Sequence, residues 1–153
     1  MLLEITPAYE MLASVRTLFL EYAELLNADL SFQQFEEELA ALPGAYALPR
    51  GRLYAAFSDG QLAGCAALRP FDETCCEMKR LYVREQFRGE QIGKTLAGHL
   101  IADAREMGCE AMLLDTLSSL QSGVRLYKKL GFYEIPPYRH NPLPGALFFR
   151  LDL

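Results

Sequence analysis

Hydrophobic positions near the start of the chain recur every three or four residues, the spacing of one face of an amphipathic helix. The first such stripe is formed by Leu12, Val15, Phe19, Tyr22 and Leu26. A second helix is predicted to open at Ser31, because Gln34 three residues later completes a capping box. Its apolar side is supplied by Phe32, Phe35 and Leu39. Ahead of both helices, residues 2–6 are predicted to form a short strand.

The middle of the chain changes to the alternating pattern of β-strands. Residues 53–57 and 62–68 are strand-like runs joined by Asp59-Gly60, a strong signal for a hairpin. A third strand is predicted over residues 75–83, after a turn at 71–74. Alternation in this strand places one set of side chains on one face, namely Glu77, Lys79, Leu81 and Val83. The opposite face then carries Cys76, Met78, Arg80 and Tyr82.

The last third alternates between helices and strands. A polar loop at 84–94 leads into a helix that stops at Gly108, followed by a buried strand at 111–114. Ser118 and Gln121 predict a second capping box, and the helix that it opens runs through Leu130. Strands at 132–135 and 146–151 complete the order β-α-α-β-β-β-α-β-α-β-β. The predicted fold is a single α/β (α+β) domain over 1–153, with a mostly antiparallel seven-stranded sheet flanked by four helices.

Composition excludes several classes of protein. The chain has 153 residues, of which 51% are hydrophobic, and 15 Lys and Arg against 20 Asp and Glu give a net charge of −5. We therefore expect no nucleic-acid partner, and the absence of a long apolar run or a signal-peptide pattern predicts no membrane partner and a cytoplasmic protein. The cysteines and histidines lack the spacing of metal ligands, so we expect no metal and free, buried thiols. They are Cys65, Cys75, Cys76, Cys109, His99 and His140.

The negative charge is distributed unevenly along the sequence. Residues 1–49 hold eight acidic side chains and one basic one, a net charge of −7. Residues 79–94 hold five basic and two acidic side chains, a net charge of +3. We call this second segment the basic island. Its presence in an acidic chain suggests a site for an anion, whereas the acidic segment suggests long-range attraction of a cation.

The basic island contains a loop with two glycines directly before a helix. Glycine allows backbone N–H groups to approach a ligand closely, and a helix N-terminus adds unpaired donors and partial positive charge. Gly89 and Gly93 in this position fit a phosphate or pyrophosphate. The spacing matches neither the phosphate loop of nucleotide hydrolases nor the dinucleotide fingerprint. An ordinary solvated loop is the alternative interpretation.

Two motifs resemble those of the GCN5-related N-acetyltransferase family. They are Arg88-Gly-Glu-Gln-Ile-Gly93 after Leu81-Tyr-Val83, and Leu126-Tyr-Lys-Lys-Leu-Gly-Phe132. The resemblance covers essentially the whole chain, and its strand order matches the one predicted above. It implies that acetyl-CoA is the co-substrate and that an amine attacks the thioester directly in a ternary complex. It also implies that the pantetheine arm lies between the strand with residues 81–83 and the strand with residues 113–115.

The resemblance assigns a set of residues to the coenzyme. They are Leu81, Tyr82, Val83, Arg88, Gly89, Glu90, Gln91, Ile92, Gly93, Lys94, Thr95, Ser118, Ser119 and Tyr127. Two positions depart from the family pattern. Gln91 stands where a glycine is usual, so its side chain either restricts approach to the phosphate or adds a donor. Leu120 stands where an asparagine is frequent, so contacts to the arm fall to Ser118, Ser119 or backbone groups.

Two residues are candidates for the chemistry itself. The resemblance implies that Tyr127 protonates the departing thiolate, and a tyrosine pKa near 10 suits that proton transfer. Plain core packing is the alternative, since Tyr127 lies on an amphipathic helix. Glu77 matches an acid that serves as general base in some family members. The alternative is a structural ion pair between Glu77 and Lys79.

A proline-rich loop over residues 136–145 is predicted to form part of the acceptor pocket. Its four prolines fix the backbone, so four polar side chains are held in place. They are Tyr138, Arg139, His140 and Asn141. Arg139 is a candidate for binding a carboxylate and His140 a second candidate base, while a rigid hairpin closure is the alternative for the loop. The predicted acceptor is a small-molecule amine or a protein amine, and a homodimer is left open.

Two further functions compete with the enzyme. The same fold without turnover would act as an acyl-CoA-binding or regulatory module. A partner-binding domain that uses the acidic N-terminal helices is the other. Acetyl-CoA binding and amine-dependent consumption of acetyl-CoA separate these possibilities.

Overall fold

A computed structural model of the chain describes residues 1–27, 30–31 and 34–153. Within these residues the order of strands and helices is the predicted one. The strands are β1 (Leu3–Pro7), β2 (Arg52–Ser58), β3 (Gln61–Pro70), β4 (Cys75–Val83), β5 (Ala111–Leu117), β6 (Tyr133–Ile135) and β7 (Ala146–Asp152). The helices are α1 (Leu12–Leu26), α2 (Phe35–Ala41), α3 (Ile92–Glu106) and α4 (Gln121–Lys129). Short 3₁₀ turns occur at Gly44–Tyr46 and Glu85–Phe87.

The strands form one seven-stranded sheet in the order β1-β2-β3-β4-β5-β7-β6. Neighbouring strands run antiparallel except β4 and β5, which are parallel. A parallel pair needs a crossover connection, and α3 supplies it. The hairpin between β2 and β3 turns at Asp59 and Gly60, whose φ angles are 49° and 81°. The predicted mostly antiparallel sheet is confirmed.

Hydrophobic side chains cover both faces of the sheet. On one face, α1 and α2 pack against β2 and β3 through residues that include Leu18, Phe19 and Leu53. On the other face, α3 and α4 bury a larger cluster that includes the fully buried Leu96 and Phe149. The helix spacing read from the sequence is therefore the spacing of the buried positions.

The two capping-box predictions are wrong. α2 begins at Phe35 rather than at Ser31, with Gln34 as its N-cap residue, and Phe32 lies outside the described residues. Acidic side chains fill the first turn of α2, where the helix dipole favours them. α4 begins at Gln121 after Leu120, without a side-chain cap. Ser118 lies two residues before this N-cap position, and its N–H donates to the Gly145 carbonyl oxygen at 2.8 Å.

A β-bulge at Arg80 overturns the predicted faces of β4. Arg80 has a φ of 59°, and the pairing with β3 slips there, because Lys79 faces Ala67 while Tyr82 faces Cys65. The extra residue exchanges the two faces for the rest of the strand. Leu81 and Val83 therefore join the cluster beneath α3, with Cys76 and Met78. Arg80 and Tyr82 lie on the side of α1 and α2.

The strands β4 and β5 separate from one another just before this bulge. They pair only over Cys75–Glu77 and Ala111–Leu113, after which β5 continues to Leu117 paired with β7 alone. We call the resulting opening the β4–β5 cleft. Its walls include Lys79, Leu81, Asp115 and Tyr127. The separation expected between residues 81–83 and 113–115 is present.

The structure also bears on the cysteines and on whether any helix could cross a membrane. All four cysteines are free thiols, three of them buried and Cys109 half-buried. Within the described ranges, no helix combines the length and the apolar composition that crossing a lipid bilayer requires.

Candidate active site

The loop after β4 delivers a cluster of backbone donors to the start of α3. The first N–H of this helix with a backbone acceptor is that of Thr95, which donates to the Gln91 carbonyl oxygen at 3.1 Å. In the part of the chain that the structure describes, the N–H groups of Ile92, Gly93 and Lys94 have no backbone acceptor. Such a set at a helix N-terminus suits a phosphate. The segment predicted to bind the pyrophosphate therefore has the donors that the role needs.

The loop leaves space around its backbone at Gly89, whereas a Cβ at Gly93 would lie in ordinary contact with Leu126 and Val83. A side chain at Gly89 would meet no atom within 4 Å, so the loop is open towards solvent there. Gln91 is exposed and has a φ of 61° and a ψ of 24°, the left-handed conformation that glycine adopts most easily. The departure from the family pattern at Gln91 is therefore a side chain placed on a glycine-type backbone.

Part of the positive charge of the basic island is neutralised by acidic side chains in the folded protein. Arg80 donates to both oxygens of Glu38, at 2.9 and 3.1 Å, and Arg84 donates to both oxygens of Glu21, at 3.0 and 2.8 Å. The hydrogen bonds from Arg84 lower the pKa of Glu21. Two acids of the N-terminal segment are thus neutralised by two bases of the island.

Two basic residues of the island remain exposed at the loop. Arg88 is exposed, and its Nε donates to the Val83 carbonyl oxygen at 3.3 Å. Lys94 is exposed in the first turn of α3. These two side chains carry the positive charge that a pyrophosphate would meet.

Tyr127 of α4 lies on the wall of the β4–β5 cleft. Its ring packs against Phe132 and Phe149, with centroids 5.8 and 6.3 Å apart. No described residue forms a hydrogen bond with its hydroxyl group, and burial raises the pKa of that group. Tyr127 therefore packs in the core, as the alternative interpretation predicted. It also lines the cleft, as a general acid must.

A lysine and an aspartate face one another across the cleft. Lys79 Nζ of β4 lies 3.5 Å from Asp115 Oδ1 of β5, and both side chains are 3% exposed. Asn141 donates from Nδ2 to Asp115 Oδ2 at 3.0 Å. Burial lowers the pKa of Lys79 to about 8, against the opposing effect of Asp115. Sequence spacing predicted Glu77 as the partner of Lys79 and assigned no role to Asp115.

Glu77 is the centre of a buried ion cluster. Its carboxylate is fully buried and accepts hydrogen bonds from Arg69 Nε at 2.9 Å and Arg139 Nη2 at 2.8 Å. The Tyr138 hydroxyl donates to its other oxygen at 2.6 Å, and burial together with this carboxylate raises the pKa of Tyr138. We call Arg69, Glu77, Tyr138 and Arg139 the Glu77 cluster. The alternative interpretation of Glu77 predicted an ion pair with Lys79, but its ion-pair partners are Arg69 and Arg139.

The remaining predicted site residues fall into two groups. Some lie along the cleft or the loop: Leu81, Val83, Glu90 and Thr95, with Thr95 Oγ1 donating to the Gln91 carbonyl oxygen at 2.9 Å. Tyr82 turns away and donates to Glu21 at 3.1 Å. Ser118 and Ser119 are exposed, and the N–H of Ser118 is engaged by β7. His140 is exposed, while its three neighbours in the predicted set fold back onto β4 and β5.

Sequence reasoning missed Arg69 and Asp115. Arg69 faces Glu77 in the register of β3 and β4, a contact that only the pairing of the strands reveals. Asp115 directly follows the buried run 111–114, and a carboxylate at the end of such a run was a usable signal. Across the described residues, no group of three or more His, Cys, Asp or Glu side chains is placed to hold a metal ion.

Comparisons with known proteins agree with this geometry. The family model of the acetyltransferase (GNAT) family matches residues 13–132. A protein of Dictyostelium discoideum named as an N-acetyltransferase is 37% identical, over 97% of each chain. A protein of Schizosaccharomyces pombe with the same kind of name is 42% identical, over 87% of this chain and 83% of its own.

The chain is also similar in fold to solved acetyltransferases. The PaiA N-acetyltransferase of Thermoplasma acidophilum, crystallised with coenzyme A, aligns over the whole of both chains with a TM-score of 0.75 and 18% identity. An acetyltransferase of Streptococcus agalactiae aligns with a TM-score of 0.81 and 19% identity, over 99% of this chain and 98% of its own.

The cleft, the helix N-terminus beside it and these relatives define one class of enzyme. The chain belongs to the acetyltransferase (GNAT) family. It is an acetyl-CoA-dependent acyltransferase, and acetyl-CoA is its co-substrate. The residues present fit that co-substrate, since the loop offers unpaired N–H donors and two exposed cations, and β4 offers an edge that β5 leaves unpaired.

Proposed function

We propose that this protein transfers the acetyl group of acetyl-CoA to a primary amine by direct attack in a ternary complex. The observation that carries the proposal is the β4–β5 cleft, with the open donors of α3 at one end and Tyr127 on its wall. An extended pantetheine arm can pair with the open edge of β4 as an added strand would. The thioester then lies between the anion loop and the end of the cleft marked by Glu77.

The loop residues hold the coenzyme in this proposal. The N–H groups of residues 92–94 bind the pyrophosphate, and Arg88 and Lys94 add charge. Backbone groups of Leu81 and Val83 bind the arm. Ser118 and Ser119 contribute side-chain hydroxyls, because the N–H of Ser118 already has a partner in Gly145.

Tyr127 is proposed as the general acid. The amine nitrogen forms a bond to the thioester carbonyl carbon, the carbon–sulfur bond breaks, and Tyr127 gives its proton to the sulfur. The products are the acetamide and the thiol of coenzyme A. Burial raises the pKa of Tyr127, which keeps its hydroxyl protonated at neutral pH but also makes it a weaker acid than a tyrosine with the ordinary pKa near 10.

Glu77 is proposed to position its neighbours rather than to remove a proton. Its carboxylate is held by two arginines and one tyrosine, and it would have to release such donors to act on an amine. The acceptor proton leaves instead to water in the open cleft. His140, exposed on the loop, remains the second candidate base.

The setting of the reaction is also part of the proposal. Four free thiols suit a reducing compartment, which supports a cytoplasmic location. The acceptor is a small-molecule amine or a protein amine.

One pair of measurements tests the proposed function. Titration of acetyl-CoA in a calorimeter should show saturable binding, and a thiol-release assay with a panel of amines should show amine-dependent turnover. Failure to bind at high micromolar coenzyme would overturn the proposal. Binding without turnover on any amine would support the non-catalytic acyl-CoA-binding module instead.

A further inference from the structure

The Glu77 cluster holds more positive than negative charge. Arg69 and Arg139 both reach the same oxygen of Glu77, with Nη2 of each at 2.8 Å. Throughout the described part of the chain, Glu77 is the one acid that forms an ion pair with either arginine. One carboxylate therefore faces two guanidinium groups, and one positive charge is left without a counter-ion in a half-buried place.

Arg139 has hydrogen-bond capacity that the protein does not use. Its guanidinium carries five N–H donors, and among the described residues it donates a hydrogen bond to Glu77, from Nη2. Nε of Arg139 is buried and has no partner among the described residues. The rings of Phe71 and Tyr138 flank the group, with centroids 5.8 and 5.2 Å from Cζ. A buried donor without a partner costs free energy until a ligand satisfies it.

Both arginines can be reached from outside. The side chain of Arg69 is 21% exposed and that of Arg139 is 25% exposed, whereas Glu77 is fully buried beneath them. A ligand that approaches the cluster therefore meets the two cations before it meets the carboxylate. An anion gains from this order of charges and a cation does not.

The cluster lies at the closed end of the β4–β5 cleft. Glu77 is the last residue of β4 that pairs with β5, through Leu113. Asn141, two residues after Arg139, is bonded to Asp115 on the other wall of the cleft. The proline-rich loop thus spans the cleft at this end, opposite the anion loop, and brings Arg139 beside the place where the thioester would end.

Resting on the proposed acetyl transfer, we propose that the acceptor is a small amine that also carries a carboxylate, and that Arg139 together with Arg69 binds this carboxylate. Free amino acids are the simplest acceptors of this class. A guanidinium group binds a carboxylate through two parallel hydrogen bonds, which also fixes its orientation. One ligand carboxylate would supply the missing counter-ion and the missing acceptor together.

This assignment differs from the earlier hypothesis that the acidic N-terminal segment attracts a cationic acceptor. Glu21 and Glu38 of that segment are engaged by Arg84 and Arg80. A surplus positive charge beside the acceptor also favours the neutral amine over the ammonium ion, and only the neutral amine attacks a thioester. Binding of the carboxylate and activation of the amine are therefore served by the same arginines.

The test compares amino acids with their amides. Glycine, alanine, phenylalanine and glutamate are assayed as acceptors beside their α-carboxamides, which keep the amine and the side chain but lose the carboxylate charge. The amino groups of the amides are the less basic ones, so amine protonation favours the amides and cannot produce a preference for the acids. We expect kcat/KM for the best acid to exceed that for its amide by about 10- to 100-fold, the usual effect of a charged hydrogen bond.

Variants assign the preference to Arg139. In Arg139→Gln the ratio of kcat/KM between acid and amide should fall about 10-fold or more, through KM of the acid, while KM for acetyl-CoA is unchanged. Arg139→Lys keeps the charge without the fork and should recover part of the ratio. Arg105→Gln is the matched control, because it removes an exposed arginine in the last turn of α3, an element that contributes no residue to the Glu77 cluster.

Binding provides a second measurement that does not need turnover. The four amino acids should raise the melting temperature of the wild-type protein and of Arg105→Gln, but not that of Arg139→Gln. Amino-acid binding that depends on Arg139 without acetyl transfer would uphold this inference and overturn the proposed function. Equal use of acids and amides, equal losses on both in Arg139→Gln, or no amino-acid binding would overturn the inference itself.

Discussion

The ammonium group of Lys79 and the carboxylate of Asp115 lie 3.5 Å apart across the cleft that opens where β4 and β5 separate. Lys79 stands directly before the bulge of β4, and Asp115 stands two residues beyond the last β5 residue that pairs with β4. The two charges therefore bridge strands whose backbones no longer bond to each other. The pair links the two walls of the active-site cleft, but burial makes the charged form of Lys79 costly in spite of it.

The burial of Lys79 makes stability depend on pH. Its pKa falls from the ordinary value of 10.5 to about 8, so between these values the folded protein binds fewer protons than the unfolded chain. The free energy of unfolding contributed by Lys79 therefore rises as pH increases through 8, by about 1 kcal/mol between pH 7 and 9. Urea unfolding should show this rise in the wild type relative to Lys79→Gln.

The control for this measurement is Lys129→Gln, which removes an exposed lysine at the end of α4. The difference in unfolding free energy between this variant and the wild type should stay constant from pH 7 to 9. A constant difference for Lys79→Gln as well would show that Lys79 keeps an ordinary pKa in the folded protein.

Tyr127→Phe separates the acid from the packing. The ring packs edge-on against Phe132 and at a tilt against Phe149, and no described residue bonds to the hydroxyl, so phenylalanine keeps the contacts and removes only the proton donor. We expect kcat to fall by about 100-fold, the lower range for a general acid, with acetyl-CoA affinity and melting temperature nearly unchanged. Turnover equal to that of the wild type would assign Tyr127 to the core alone.

The fold was predictable because its signals are local. The Asp59-Gly60 turn, the helical stripe of α1 and the glycine that follows α3 each depend on a few neighbouring residues. The faces of β4 beyond Lys79 were not predictable, since the bulge at Arg80 depends on strand pairing with β3. Period-2 reasoning has no means to detect an inserted residue.

The site was predictable where a motif carries it and not where distant segments meet. The loop at 88–95 and Tyr127 follow from short motifs. The Glu77 cluster joins β3, β4 and the proline-rich loop, whose members are up to 70 residues apart in the chain. Sequence spacing predicted an ion pair between Glu77 and Lys79. In the structure Lys79 instead pairs with Asp115.

Gln91 tests how the loop accommodates a side chain on a glycine-type backbone. Gln91→Gly removes the Cβ from a residue with a φ of 61° and should raise the free energy of unfolding by about 0.5 to 1 kcal/mol. It should also bind acetyl-CoA at least as tightly, because the backbone can approach the phosphate more closely. Gln91→Ala keeps the Cβ and is the matched control, expected to match the wild type in stability.

The calorimetric Kd for acetyl-CoA decides between the two roles left open for the Gln91 side chain. A tighter complex in both variants means that the side chain restricts the approach of the phosphate. A weaker complex in both means that its amide donates to the coenzyme, and the prediction for Gln91→Gly would then be wrong.

Glu77→Gln distinguishes a positioning role from a general base. The substitution leaves Arg69 and Arg139 close together without the buried carboxylate that holds them, so we expect a loss of about 3 kcal/mol in the free energy of unfolding. Glu106→Gln, at the exposed end of α3, is the control and should change stability little. Unchanged stability with lost turnover would instead make Glu77 the base.

A double variant makes this result specific to charge. In Glu77→Gln with Arg139→Gln, one of the two crowded cations is removed together with the carboxylate. The double variant should therefore be more stable than the sum of the two single losses predicts, by about 1 to 3 kcal/mol of coupling. Additive losses in urea unfolding would show that Glu77 and Arg139 do not act as a pair, and would remove the electrostatic basis for Glu77 as the centre of the cluster.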